Sequence, residues 1–262
     1  MEPALGVTLL WLLFGGTHIG LAAGRIRGPL VARLGEGGFK ALFSFVAAAS
    51  FVVLVRFYAS HRTAGIAGLA VGDVAVARGV LMSVVVTGVA LLTTGLAVYP
   101  RLPMALFGPS IHGPRGVERI TRHPFFAGTA LVALAHVLLA TRLVGAVFAG
   151  GLALLAIAGA RHQDAKLLRV RGRPYAEYLS ATSAVPFAAI LSGRQRLVWR
   201  ELPLGALAAG LALAFTLRAV HGAILAQHGT WVIAAVLGGA AITTLQSWHH
   251  ARRLGAAVAV HP

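Results

Sequence analysis

Residues 4–24 read ALGVTLLWLLFGGTHIGLAAG, and the first cation of the chain, Arg25, follows directly. These 21 uncharged residues, at about 1.5 Å of rise each, make a helix long enough to cross the hydrocarbon core of a bilayer. A signal peptide carries its positive residues first and a cleavage site after the apolar run; here the order is reversed. The stretch reads as a retained membrane helix whose N-terminus faces outward. Six further apolar runs follow, at 39–56, 79–99, 124–141, 143–160, 202–226 and 230–248. The runs at 39–56, 124–141 and 143–160 are short for a crossing. Residues 57–78 are interrupted by Arg62, Gly65, Gly68, Gly72 and Asp73 and read as a loop with room for a surface helix. The expectation is an all-α polytopic transmembrane helix bundle of about seven spans, forming one membrane domain over 1–262. A cytoplasmic basic loop is expected at 161–200 and a C-terminal helix pair at 202–248.

Composition agrees. Of 262 residues, 58% are hydrophobic and 11% charged, with a mean hydropathy of +0.81. A soluble domain carries about a quarter charged residues, so a water-soluble globule and a disordered chain are both excluded. The net charge is +16. The cations lie between apolar runs rather than in one stripe, which argues for topology signals and against nucleic acid. Alternate loops and the C-terminal tail, on one side, hold 18 of the Lys and Arg residues, against 5 on the other. That bias places the long basic loops in the cytoplasm of a bacterial inner membrane. With no cysteine, disulfides, thiolate ligands, covalent haem attachment and a catalytic thiol are all absent. Seven carboxylates exist, Glu2, Glu36, Asp73, Glu118, Asp164, Glu177 and Glu201, none in the middle of a span. A buried paired-carboxylate hydrolase is therefore not expected. No glycine-rich phosphate loop and no Ser-His-Asp pattern stands out.

Histidine carries the information. Of the eleven, most lie at span ends or in loops and read as solvated. His18 and His136 fall inside apolar spans. An ionisable residue there is costly and usually faces a partner in the protein interior. Each is either bonded to a neighbouring carbonyl or hydroxyl, or is a metal or haem ligand, since neutral imidazole suits both. Arg119, Arg122 and His123 cluster before Pro124, which suits the first turn of a helix. They read either as an interfacial anchor or as an anion site for a haem propionate, a cofactor carboxylate or a lipid phosphate. Gly16, Gly20 and Gly24 line one face of the first helix, open to a neighbouring helix or a flat ligand. In 161–179, Leu167, Leu168, Val170, Tyr175, Tyr178 and Leu179 make a basic segment amphipathic enough to lie on the membrane or cover a pocket.

Two resemblances follow from these motifs. Arg122-His123-Pro124 with Gly128, then Leu167, Gly172, Tyr175 and Tyr178, resembles the isoprenylcysteine and phospholipid methyltransferase group. Where that group has two adjacent glutamates, this chain has Gln163-Asp164. That resemblance implies S-adenosylmethionine, framed by Arg122, His123, Tyr175 and Tyr178, and a lipid or lipidated-thiol substrate. The chain more closely resembles the NnrU family, whose members include carotenoid isomerases, over about residues 5–225. Three stretches carry the likeness. The first is Phe14-x-x-x-His18 with Arg25, Leu34-Gly35, Phe39-Lys40 and Phe43-Ser44. The second runs from Ile120 through Pro124 to Ala135-His136. The third runs from Thr182 to Ile190 and ends at Gly193-Arg194. The resemblance implies haem b held between His18 and His136, with Arg122 or Arg119 at a propionate. It implies rotation of one double bond in a hydrophobic polyene, governed by the redox state of the iron. In its bacterial branch it implies a link to denitrification and a respiratory or redox membrane partner. A non-enzymatic membrane assembly factor is the third reading.

Overall fold

The structure, a computed structural model, describes residues 2–105 and 111–260. Nine helices stand out among the described residues: α1 Pro3–Ala22, α2 Gly24–His61, α3 Ala75–Val98, α4 Pro124–Leu139, α5 Leu143–Arg171, α6 Arg173–Ala181, α7 Ala188–Leu191, α8 Leu204–Ala219 and α9 Ala226–Val260. Among the same residues there is no strand, only an isolated bridge between Ala67 and Arg142. The protein is an all-α, polytopic membrane protein. Five helices are long and apolar enough to cross a bilayer, at Pro3–Ala22, Arg25–His61, Ala75–Arg101, Leu143–Arg171 and Ala226–His250. The apolar helices α4 and α8 have 16 residues each. Each of the seven apolar runs thus lies on a helix. Leu12, Phe45, Val76, Leu154 and Phe215 are more than half exposed, the distribution expected when the surrounding solvent is hydrocarbon.

The chain divides into two compact units. The first comprises the chain through Arg78, His136–Gly151 and Val220–Leu237; the second comprises Gly79–Ala135, Leu152–Ala219 and the chain from Gly238.

In the first unit α1 packs on α2 through aromatic rings, Phe14 lying 5.9 Å from Phe51. Helix α2 is far longer than the apolar run at 39–56. Its first part carries Arg25, Arg27, Arg33 and Glu36, which hide a helix from hydropathy but do not prevent one; Arg27 and Glu36 pair at 2.7 Å. The backbone leaves helical geometry at Gly35 (φ 71°, ψ 169°). The connection after α2 ties three elements into a rim. Ile66 donates its N–H to Glu2 Oε1 at 3.3 Å. Gly68 and Ala70 donate to the carbonyls of Thr141 and Ala140, each at 3.0 Å, and Leu143 donates to Ile66 at 2.8 Å. The expected loop at 57–78 is thus shorter, between His61 and Ala75, with one 3-10 turn at Val71–Asp73.

In the second unit α3 and α4 touch backbone to backbone. A Cβ on Gly128 would collide with the Gly88 carbonyl and the Leu92 backbone, so glycine is what lets these helices close. Gly172 (φ 60°, ψ −135°) ends α5 and turns the chain into α6, a backbone region reserved for glycine. Helix α6 folds Tyr175 and Tyr178 inward onto Leu102 and Met104. The segment 120–122 then pairs with 182–187. Arg122 N–H donates to Ser183 O at 2.9 Å and Phe187 N–H to Ile120 O at 2.8 Å, and Thr121 Oγ1 donates to Ala184 O at 2.9 Å.

Candidate functional site

Two polar constellations sit among these helices, one in each unit.

In the second unit the centre is Asp164, near the end of α5. Its carboxylate accepts four hydrogen bonds. Arg122 donates from Nη2 at 2.7 Å and Nε at 3.1 Å, His123 from Nε2 at 2.8 Å, and Tyr175 from its hydroxyl at 2.6 Å. A carboxylate facing Arg122 only accepts, so His123 Nε2 carries a proton. His123 is buried, and its Nδ1 has no hydrogen-bond partner. Burial, then the bond to Asp164, pushes the Tyr175 hydroxyl well above the ordinary tyrosine range.

Beside it lies Glu118, 2% exposed. It accepts from Arg115 N–H at 3.0 Å and from the Tyr178 hydroxyl at 3.3 Å, with His112 Nδ1 at 3.8 Å. Burial raises the Glu118 carboxyl above its ordinary value despite these partners, and burial with Glu118 raises Tyr178. Arg119 turns the other way. Its Nε and Nη2 grip Glu201 at 2.8 and 3.0 Å, and its Nη1 reaches Gln195 Oε1 at 2.9 Å. Arg119, helped by the Gly116 N–H, holds Glu201 down to about 2.

So the structure brings Arg122, His123 and Tyr175 onto one carboxylate, with Tyr178 on Glu118 and Arg119 on Glu201. The polar edges expected to receive a propionate or an S-adenosylmethionine carboxylate are engaged with side chains of the chain itself. The amphipathic segment 161–179 is divided. Tyr175 and Tyr178 are buried, whereas Leu168 and Val170 are exposed.

In the first unit His18 sits in an aromatic nest, its ring centre 5.5 Å from Phe14 and 5.0 Å from Phe43. Phe39 lies 6.2 Å from Phe43. His18 Nδ1 is buried and has no hydrogen-bond partner. A Cβ on Gly15, Gly16 or Gly20 would meet nothing within 4 Å, so this face of α1 is open to a flat group. His136, one turn before the end of α4, lies near-parallel to His221, ring centres 6.1 Å apart at 18°. Among the described residues no cluster of three or more His, Asp or Glu side chains converges on one metal position.

The three sequence stretches noted above now have physical content. The first collapses into the ring nest around His18. The second and third are hydrogen-bonded to each other along 120–122 and 182–187. The NnrU protein family profile matches residues 7–256. The chain belongs to the NnrU family. It is 29% identical over 200 residues to the chloroplastic 15-cis-zeta-carotene isomerase of Arabidopsis thaliana, covering 74% of this chain and 52% of that protein. It is 28% identical over 195 residues to the chloroplastic 15-cis-zeta-carotene isomerase of Zea mays, covering 72% and 51%. The chain spans about half the length of these relatives. No solved structure matches it.

Sequence reasoning named Asp164 and Glu118 as carboxylates but did not place them in the site. The scarcity of acids was itself the signal for both. With 23 cations against 7 carboxylates, an acid beside an apolar helix has a partner waiting.

Proposed function

We propose that this NnrU-family protein binds haem b in its first unit and acts on a hydrophobic polyene that enters from the lipid, in the manner of a carotenoid isomerase. The carrying observation is a buried imidazole nitrogen with no partner, His18 Nδ1, inside an uncharged helix where such a group is costly. The similarity to two 15-cis-zeta-carotene isomerases supports the substrate class. On this reading His18 and His136 would hold the haem, as the sequence pattern implies. Haem would supply a redox-active iron beside the conjugated chain. The protein's own part is to exclude water. Phe14, Phe39, Phe43 and the open glycine face of α1 offer a dry, flat-walled surface on which a polyene can lie. On the same reading the membrane is a bacterial cytoplasmic membrane, and electrons come from a respiratory or denitrification partner.

The test is a pyridine haemochrome spectrum of protein expressed with excess haem, followed by incubation with 15-cis-zeta-carotene and chromatography of the isomers. A b-type spectrum and a changed isomer ratio are expected. Colourless protein would overturn the haem reading. Calorimetric binding of S-adenosylmethionine by that colourless protein would favour the methyltransferase reading. Absence of both, with a co-purifying respiratory subunit, would favour an assembly factor.

A further inference from the structure

We propose that residues 183–200, which join α6 to α8, form a fixed wedge that seats apolar side chains in the headgroup layer of an anionic bilayer and binds lipid phosphates through Arg196 and Arg200.

The segment lies outside every helix long enough to cross a bilayer, and its own helix, α7, has four residues. Yet it exposes large apolar side chains. Val185 is 65% exposed, Phe187 41%, Leu191 85% and Trp199 70%. A lipid-facing helix accounts for such exposure at Leu12 or Phe215, but no such helix runs through 183–200. In water, this much apolar surface on one segment marks a docking site.

Nor is this a loose loop. Gln195 N–H donates to Ala189 O at 3.0 Å, and its Nε2 donates to Ala181 O at 3.1 Å. Arg194 Nη1 donates to the carbonyls of Ser180 and Thr182 at 2.9 and 3.0 Å. Ala189 is fully buried, and Ile190 and Leu197 pack on the core around Leu91 and Ile120. One side of the segment is thus fastened to the second unit. Leu191 N–H donates to Phe187 O at 2.9 Å, so these two residues are one turn apart and share a side, with buried Ala189 between them. Phe187 has left-handed backbone geometry (φ 63°, ψ −9°), rare and costly for a bulky residue. The Phe187 N–H holds it there by donating to Ile120 O at 2.8 Å. Strain kept to display an aromatic ring marks a functional surface.

Charge identifies the occupant. From 178 to 262 the one acid is Glu201, and Arg119 holds it at 2.8 Å. Arg196 and Arg200 are exposed and have no ion pair among the described residues. Aromatic and aliphatic tips beside open guanidiniums match the layer where acyl chains meet phosphates. An acidic protein surface would satisfy the arginines as well, but continuity favours lipid. The next element, α8, begins at Leu204, is apolar, and exposes Phe215.

The chain has no cysteine, so Leu191→Cys and Val185→Cys each take a single environment-sensitive fluorophore. Both positions are exposed, so labelling leaves the fastened side intact. The full chain is placed in nanodiscs of phosphatidylcholine and phosphatidylglycerol. Both labels are expected to emit to the blue of the same fluorophore on glutathione and to be shielded from aqueous iodide. Lipids with a nitroxide high on the acyl chain are expected to quench them, as they quench a label at Phe215→Cys. Nitroxide phosphatidylglycerol is expected to outcompete nitroxide phosphatidylcholine, a preference that falls about fivefold for each of Arg196→Gln and Arg200→Gln. Labels open to iodide and untouched by nitroxide lipid overturn the proposal. Labels shielded from iodide yet untouched by nitroxide lipid mean that protein covers the segment, and overturn it as well. Equal quenching by the two lipids overturns the role of the arginines. None of these outcomes depends on haem.

Discussion

Asp164 and Glu118 are both carboxylates at the start of buried tyrosine networks, yet their charges have opposite consequences. Asp164 faces Arg122 with side chains only 14–15% exposed. Removing one partner of a buried pair leaves the other uncompensated. Asp164→Asn should lower stability by roughly 2–3 kcal/mol, less than a fully buried pair because water reaches its edge. Arg122→Gln added to it should restore part of that loss. Thermal unfolding in detergent measures both, and a change within about 0.5 kcal/mol, as at ordinary surface sites, would refute the role given to Asp164. Among the described residues no guanidinium bonds to Glu118, and burial raises its carboxyl above the ordinary value although the Arg115 charge opposes this. Its folded form holds its proton at a higher pH than its unfolded form, so it destabilises the fold at neutral pH. That penalty is relieved as pH falls from its raised value toward 4.5. Glu201 runs the other way. It is held at about 2 in the fold, so its contribution is full above its ordinary 4.5 and fades between 4.5 and 2. Glu118→Gln, which still accepts from Tyr178 and Arg115, should be neutral or stabilising at pH 7 and flatten the pH dependence above 4.5. A loss of more than about 1 kcal/mol, the usual size of one hydrogen bond, would contradict this. The tyrosines and arginines of this network were visible as motif letters. Asp164 was visible only as a departure from a motif, and its pairing and that of Glu118 were not legible, because each partner is brought in from a different element, Glu118 lying 60 residues from Tyr178.

Helices were legible here as apolar runs, because lipid-facing and core-facing positions are both hydrophobic and leave a continuous signal. Their ends were not. Helix α2 begins fifteen residues before its apolar run, where four charged residues ride a helical backbone. Helix α5 continues to Arg171, well past its apolar part, and so carries Asp164 under Arg122. Glycine had a visible place in the motifs without a visible reason. Gly128 is the contact of α4 with α3. Gly128→Val would force the two backbones apart, and overpacking of this kind typically costs about 1–3 kcal/mol; Gly79→Ala on α3, where a Cβ meets nothing, is the matched control and should be neutral or slightly stabilising. Gly172→Ala tests the other motif glycine. At φ 60° and ψ −135° a side chain is strained by about 1–3 kcal/mol, and because α6 hangs on this residue the Tyr175–Asp164 bond should loosen with it. Burial of Tyr175 reports this directly: its fluorescence should become accessible to an aqueous quencher in Gly172→Ala and stay protected in Gly79→Ala.

Across the chain, charge and hydropathy carry separable messages. Apolar runs state how many helices meet lipid, and the uneven placement of 23 cations states which loops stay behind during insertion, since loops rich in Lys and Arg resist translocation. By parity of the seven expected crossings, 57–78 would lie on the outer side and 161–200 on the inner side. The absence of cysteine makes a clean assay, because an introduced thiol is the sole reactive one. Thr63 and Arg196 are both exposed, in loops assigned to opposite sides. Thr63→Cys should react with a membrane-impermeant maleimide in intact cells within minutes. Arg196→Cys should react only after the membrane is permeabilised, by a factor of about ten or more, the contrast expected when a bilayer separates probe from thiol. Equal labelling of the two in intact cells would mean an even number of crossings between them, and with it the alternate-loop charge census would lose its meaning.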